Sequence, residues 1–334
     1  MVSEKEISNQ FKGKKILVTG GSGSVGQAIV EKLLEYKPKA IRILTNDENS
    51  IFEIKRIFDK NPLLTFMIGD VRDLDRVKLA IRGIDIVFHA AAMKHIDICE
   101  ANPFDAIKTN VIGTSNIIEA SLLENISKFV FISTDKATNP STTLGASKLL
   151  GERLTHDATN YRGTGKTIFT IVRFGNVLGS RGSVFQIFYD QLKRNKPLTI
   201  TDERMTRFVM SLPDAASLIL KATVIAKDGE IFILKMNSVK IIDLAKTMIK
   251  VFNKKFGTHN GQIRIGKIRE KEKLNEILLN PYELNYCHDL GSIFKISKNH
   301  TQNKMNSNQM NSGTAELISE KNLIMIIEKL MNEF

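Results

Sequence analysis

The chain has 334 residues, enough for one large domain or two, each with its own buried core. Hydrophobic residues make up 42% and charged residues 25%, ordinary globular usage that excludes disordered, collagen-like and fibrous classes. Lysine and arginine total 48 against 36 acidic residues, and the resulting +12 suits a phosphate-bearing ligand, nucleic acid or an anionic surface without choosing among them. No run approaches the ~18 apolar residues of a membrane span, and residues 1–15 are too polar for a signal-peptide core, so a cytoplasmic address is expected. Cys99 and Cys287 are too few for a disulfide framework or a four-thiolate zinc site. The histidines show no metal-ligand spacing, and no metal is expected. No nucleic-acid recognition module is visible either.

In chain order, the first half alternates short β-branched runs with amphipathic stretches. Strands are predicted at 15–18, 41–44, 64–68, 84–89, 129–132 and 170–173, each short, apolar and followed by turn residues. Helices are predicted between them at 27–36, 50–58, 74–81, 104–123 and 144–161. This alternation argues for an α/β fold, a doubly wound parallel sheet with helices on both faces, whose ligands bind beyond the carboxyl ends of the strands. After about residue 174 the elements shorten to a helix at 213–225, a strand at 231–234 and a helix at 241–252, read as a smaller substrate-binding lobe. Residues 298–313, rich in Asn, Ser, Gln and Met, read as a flexible loop before a final helix at 317–330. The expected division is 1–174 for a dinucleotide-binding domain, 175–296 for the smaller lobe and 297–334 for loop and last helix, with the chain free to cross between lobes.

Residues 19–26 read T-G-G-S-G-S-V-G, directly after the first strand and before a helix. Gly20, Gly23 and Gly26 allow a tight turn, close approach of backbone to a pyrophosphate and close helix-to-strand packing, while Ser24, Val25 and Gly26 open a helix whose N–H groups favour an anion. NAD or NADP is the expected cofactor. Asn46 and Asp47 follow the second strand, where an acidic residue favours NAD; Arg42 precedes that loop, so the lean to NAD is slight. Asp70 and Val71 are expected to face the adenine, and Ala90, Ala91 and Ala92 to form a small-residue floor for the rest of the cofactor. Gly163-Thr164-Gly165-Lys166-Thr167 looks like the end of a triphosphate loop, but Asn160 replaces the earlier glycine and a strand follows, so it is read as a turn.

The glycine loop, A-A-A-M-K-H at 90–95, S-T-D-K at 133–136, R-F-G-N-V-L-G-S-R-G-S at 173–183 and M-T-R-F at 205–208 together resemble the nucleotide-sugar 4,6-dehydratases of the extended short-chain dehydrogenase/reductase superfamily. Within it the UDP-N-acetylglucosamine 4,6-dehydratases of polysaccharide and protein glycosylation look most similar. The resemblance, which runs from about residue 14 to about 283, implies a Rossmann-like sheet with a smaller C-terminal lobe, a UDP-N-acetylhexosamine substrate and a homo-oligomer. It also implies a mechanism: hydride leaves sugar C4, the C5 proton becomes acidic, a base removes it while an acid expels the C6 hydroxyl as water, and hydride returns to C6. Asp135 is the expected acid and Lys136 the expected base, with Thr134 at the C4 oxygen and Lys148 nearby. Desolvation favours a protonated Asp135 and a neutral Lys136, although neighbouring cations oppose the former.

Further residues carry expected substrate contacts by the same resemblance. Lys94 and His95 would line the sugar pocket, and Asn176, Val177, Arg181, Gly182 and Ser183 would hold sugar and diphosphate. Arg207 would meet the diphosphate as a planar fork. Arg269 and Glu272 fall in R-E-K-E-K-L, similar to the family's R-P-G-E-K-L, with Glu272 expected at the ribose; Glu270 and Lys271 depart from that pattern. Leu144 stands where most short-chain dehydrogenases carry a tyrosine four residues before the helix lysine. Two other readings remain open on these residues: a UDP-sugar epimerase, which needs no acid beside its base, and a nicotinamide-binding protein without turnover.

Overall fold

The computed structural model describes residues 2–58, 60–257, 261–268, 271–297 and 307–333. Fourteen strands occur among them: β1 Lys15–Thr19, β2 Ala40–Thr45, β3 Leu64–Ile68, β4 Ile86–His89, β5 Lys128–Ile132, β6 Ile168–Arg173, β7 Asn176–Val177, β8 Leu198–Ile200, β9 Thr206–Met210, β10 Ile231–Leu234, β11 Asn237–Lys240, β12 Ile263–Ile265, β13 Cys287–Asp289 and β14 Ile293–Ile296. The chain divides into two compact units, one of residues 1–174, 213–235 and 280–305, the other of residues 175–212, 236–279 and 306–334. Residues 213–235 and 280–305 thus join the first unit, although a linear division at 174 would assign 213–235 and 280–296 to the second. The cause is pairing: β10 lies parallel to β6, with Ile231 beside Ile171, and β14 lies antiparallel to β10.

The first unit is built on a nine-stranded sheet in the order β13-β14-β10-β6-β5-β4-β1-β2-β3. Neighbours from β3 to β10 are parallel, and the β13–β14 hairpin closes one edge antiparallel. Ile16, Leu17 and Val18 of β1 and Val87 and Phe88 of β4 are fully buried, as expected of strands covered by helices on both faces. Strand order reverses between β1 and β4, so the loops after these two strands open into the crevice where doubly wound sheets bind ligands. Helices begin where their caps dictate. Asp73 accepts from the Arg76 N–H to start Leu74–Ile81, and Thr142 accepts from the Gly145 N–H to start Thr143–Tyr161. A helix at Glu4–Phe11, not anticipated, opens on a Ser3/Glu6 capping box and buries Ile7 and Phe11.

The stretch expected as one helix at 104–123 has three parts: Pro103–Ile107, a π-helical turn at Lys108–Ile112 and Gly113–Leu123. The turn carries Asn110, whose buried side chain spends its hydrogen bonds on Met93 and Ser147. Gly163 lies in a turn with φ 57° before β6, in keeping with the reading of 163–167.

The second unit holds the β11-β9-β7 sheet and the β12–β8 pair. Helices Val184–Lys193, Ile241–Phe256 and Glu320–Glu333 pack around Phe185, Phe188, Leu244, Met248 and Ile327. The expected flexible loop at 298–313 is only partly open to description, since 298–306 lie outside the described residues. Residues 307–313 correct it: Met310 and Ser312 are buried, and backbone bonds tie the segment to 276–278.

Candidate active site

The loop after β1 has the shape its glycines require. Gly20 sits at φ 64°, and a Cβ there would come within 2.7 Å of the Ala91 backbone. A Cβ on Gly26 would lie 2.3 Å from the Gly20 carbonyl oxygen, so the helix Ser24–Leu34 can approach this turn only with glycine there. Its cap residue, Gly23, offers no side chain to the first-turn amides, which suits a pyrophosphate oxygen in that place.

At the neighbouring strand ends, Asp70 is gripped by Arg72 through both carboxylate oxygens, and Asn46 reaches it at 3.4 Å. Arg72 holds the Asp70 carboxyl below its usual range against the opposing effect of burial. Asp47 instead caps the helix Glu48–Ile57, accepting from the Asn49 N–H and the Ser50 hydroxyl. Arg42 bonds the Ala80 and Arg82 carbonyls at the end of helix Leu74–Ile81. Asn46 and Asp70 form a second polar pair at this end.

Beneath Ala90–Ala92 runs a buried polar chain that sequence reasoning missed. Ala91 N–H donates to Thr19 Oγ1 at 3.3 Å, Thr19 Oγ1 lies 2.7 Å from His89 Nδ1, and His89 Nε2 lies 3.0 Å from Thr114 Oγ1. Thr114 already donates its proton to the Asn110 carbonyl, so His89 must donate from Nε2 and accept at Nδ1 from Thr19. A neutral ring is required, and burial, with Lys148 adding to it, pushes His89 down to about 3. Asn110 then holds the next residues: its Oδ1 accepts from the Met93 N–H at 2.8 Å and its Nδ2 donates to the Met93 carbonyl at 3.1 Å. A polar residue at the centre of an apolar helix and a histidine closing an apolar strand were the available signals. Beyond Met93, Lys94 is exposed and His95 stands at the N-cap of the short helix Ile96–Ala101 without a side-chain bond to it.

After β5, Thr134 opens a single 3-10 turn over Asp135–Ala137. Asp135 is 1% exposed. Its Oδ1 accepts from Thr134 Oγ1 at 2.9 Å and from Lys136 Nζ at 3.0 Å, whereas its buried Oδ2 has no hydrogen-bond partner among the described residues. A buried carboxyl oxygen left in this state is costly unless a ligand or a bound proton serves it. The Lys136 side chain stays partly open to solvent. A Cβ on Gly145 would lie 2.5 Å from the Lys136 carbonyl oxygen, so that glycine lets helix Thr143–Tyr161 press against the turn.

Lys148, on the same helix, donates to the Ile132 carbonyl at 2.6 Å and lies 4.2 Å over the Phe131 ring. Burial lowers it to about 8, partly opposed by Glu152. Leu144 is buried against Cys99 and Ala106, so an apolar side chain fills the position of the absent phenol. Behind the turn, Ser133 Oγ donates to Glu152 at 2.6 Å, and Glu152 with Glu283 brackets the buried Arg173 guanidinium.

In the second unit the expected substrate residues fall on β7, β9 and their loops. Asn176 Oδ1 and Ser183 Oγ are buried without a hydrogen-bond partner among the described residues, and Val177 is buried between them in sequence. Ser183 begins helix Val184–Lys193 without capping it. Gly182, at φ 68°, donates its N–H to Gln186, and Arg181 is exposed. Arg207 is buried, bonds the Thr206 and Leu274 carbonyls and pairs with Glu272 at 3.6 Å. Arg269 lies outside the described residues. No group of three or more potential metal ligands occurs among the described residues.

A parallel sheet with a glycine turn after β1, the Asp135–Lys136 pair after β5 and the helix lysine Lys148 bonded to that strand's end defines the nucleotide-binding dehydrogenase-like class. The chain belongs to the polysaccharide biosynthesis protein family, which matches residues 16–298. It is 42% identical over 289 residues to the UDP-N-acetylglucosamine 4,6-dehydratase (inverting) of Campylobacter jejuni, covering 86% of this chain and 84% of that one. It is also 40% identical over 290 residues to the UDP-glucose 4-epimerase of Rickettsia bellii, with 86% and 83% covered. Among solved structures, Pen from Bacillus thuringiensis superposes with a TM-score of 0.90 at 40% identity, covering 96% of this chain and 98% of that one. A nucleotide-sugar dehydratase or epimerase is therefore the supported class of enzyme. No helix among the described residues is long and apolar enough to cross a membrane.

Proposed function

We propose that the chain is an NAD(P)-dependent UDP-N-acetylglucosamine 4,6-dehydratase. The observation that carries this reading is Asp135: one oxygen is saturated by Thr134 and Lys136, and the other is buried without a partner among the described residues. A buried carboxyl with one oxygen free, beside an amine bonded to its other oxygen, is the acid-and-base pair that the loss of water from C5 and C6 needs.

The turn of Gly20, Gly23 and Gly26 would hold NAD(P), which would supply the hydride acceptor for sugar C4 and the donor for C6. The chain's residues do the rest. Thr134, whose hydroxyl proton rests on Asp135 Oδ1, would turn it to the C4 oxygen as that oxygen becomes a ketone. Lys136 takes the C5 proton as Asp135 Oδ2 gives its own to the departing C6 hydroxyl. Where the configuration at C5 is retained, Lys136 returns that proton to C5, and the proton released from the C4 hydroxyl replaces the one Asp135 gave up. Lys148, held by the Ile132 carbonyl, places a cation behind the cofactor floor. Asn176 and Ser183 would serve the sugar or diphosphate with the polar atoms now lacking partners, and Arg207 would serve the diphosphate.

The epimerase reading is favoured by relatives of that name at similar identity. It leaves Asp135 with no step to perform, because returning hydride to C4 expels no water. Asp135→Asn and Lys136→Met, assayed with UDP-N-acetylglucosamine by product mass, should each abolish dehydration while dinucleotide binding persists. Full activity in either variant would sink these roles, and a product of unchanged mass from the wild type would favour epimerisation. Exposed Phe104, Ile112 and Leu150 on Pro103–Leu123 and Thr143–Tyr161 support pairing between copies of the chain, testable by light scattering.

A further inference from the structure

The C-terminal segment 307–318 lies beyond the residues that the family matches, yet it is sewn into the second unit on two sides. On one side, Ser312 N–H donates to the Glu276 carbonyl at 2.9 Å, Glu276 N–H donates to Ser312 Oγ at 2.9 Å, and Leu278 N–H donates to the Met310 carbonyl at 2.8 Å. On the other, Ser238 N–H donates to the Glu316 carbonyl, Ile318 N–H donates to the Ser238 carbonyl, and the Ser238 hydroxyl donates to the Ser312 carbonyl. A Cβ on Gly313 would sit 2.8 Å from the Asn275 side chain, so the two segments meet without room to spare.

Ser312 is fully buried, and its single hydroxyl proton is shared between Thr206 Oγ1 at 2.8 Å, whose own proton goes to Asn275, and the Thr206 carbonyl at 3.2 Å. That Thr206 carbonyl also accepts from Arg207 Nη1, at 2.7 Å. The same guanidinium nitrogen bonds the Leu274 carbonyl at 3.1 Å, and that carbonyl accepts the Thr206 N–H at 3.0 Å. The guanidinium is thus aimed by two backbone carbonyls. One of them shares its lone pairs with Ser312, and the other belongs to the segment that Ser312 pins.

We propose that residues 307–318 form a strap that fixes Arg207 in its diphosphate-receiving pose, with Ser312 as the positioning residue. The inference rests on the nucleotide-sugar reading, in which Arg207 meets the diphosphate. A fork held in place before the ligand arrives loses less freedom on binding, so the strap acts on nucleotide affinity and not on the chemical step.

The test uses the full chain and uridine diphosphate. In Ser312→Ala, calorimetry should show uridine diphosphate binding about tenfold more weakly, the scale of one hydrogen bond's net effect on a charged contact. The KM for the UDP-sugar should rise with it, while kcat and dinucleotide binding stay within about twofold of wild type. Undiminished uridine diphosphate binding in the variant overturns the inference alone, as does an equal fall in kcat and dinucleotide affinity. A wild-type chain that binds no uridine diphosphate overturns the nucleotide-sugar reading and this inference with it. Should Ser312→Ala not fold, hydrogen exchange on the wild type decides: uridine diphosphate should slow exchange at the Glu276, Leu278 and Ser312 amides, and unchanged rates there refute the strap.

Discussion

Replacing Arg173 with methionine isolates the buried ion network behind the catalytic turn. Arg173 is 1% exposed and makes four contacts to carboxylate oxygens: Nε and Nη2 to Glu152 at 3.1 and 2.7 Å, Nη1 and Nη2 to Glu283 at 3.0 Å each. Methionine keeps most of the apolar stem and removes every donor. Glu152, 3% exposed, is then left as a buried charge without its cation, a loss worth about 3–5 kcal/mol. Glu283 is better hydrated and adds less. For a chain of this size the melting temperature should fall on the order of 10 °C. Ser133 donates to the same Glu152, so the residue before Thr134 loses its anchor and turnover should fall as well. Scanning calorimetry of the wild type, Arg173→Met and Arg173→Met/Glu152→Gln checks the electrostatic origin. Neutralising Glu152 should return part of the lost stability, because the stranded charge is gone. A single variant within about 1 kcal/mol of wild type, or a double variant less stable than the single, would refute the reasoning.

Three other substitutions probe separate parts of the molecule. Gly20→Ala forces a side chain into a left-handed conformation, 2.7 Å from the Ala91 backbone, and should abolish dinucleotide binding in titrations; wild-type affinity would contradict the loop's role. Leu144→Tyr must enlarge a buried side chain packed on Cys99 and Ala106, so it should cost about 1–3 kcal/mol by denaturation and alter the rate without being needed for it. An inert wild type rescued by the tyrosine would reverse that conclusion. Lys128 donates to the Thr223 and Val224 carbonyls, and burial lowers it to about 8 from its usual 10.5. The folded chain therefore loses this proton first, and its contribution to stability should grow as pH rises from about 8 to about 10.5. Denaturation across that range should show the slope reduced in Lys128→Met; equal slopes would dismiss the burial argument.

The parallel sheet was legible because each of its covered strands is a short apolar run, and the glycine turn because only glycine fits where Gly20 meets Ala91. Thr134, Asp135 and Lys136 were legible as polar residues directly after such a run. The rest was hidden for physical reasons. Asp47 suits a ribose by its position, and nothing in that position discloses that it also caps a helix through Asn49 and Ser50. Arg207 and Glu272 read in sequence as separate ligand contacts, and nothing in their spacing discloses that they pair. Strands β7, β8 and β12 have only two or three residues, too few for a period to appear. Ser312 sits in a polar, aperiodic stretch that reads as loop; its burial comes from bonds to residues far away along the chain, at Glu276 and Thr206, which composition does not record.

The most direct test of the dehydratase reading is proton NMR and mass spectrometry of UDP-N-acetylglucosamine incubated with the purified chain in heavy water, with NAD and then with NADP. The expected result is a new methyl signal and the loss of one water. A hexose product of unchanged mass, epimeric at C4 and without a methyl group, would contradict it and transfer the site to epimerase chemistry.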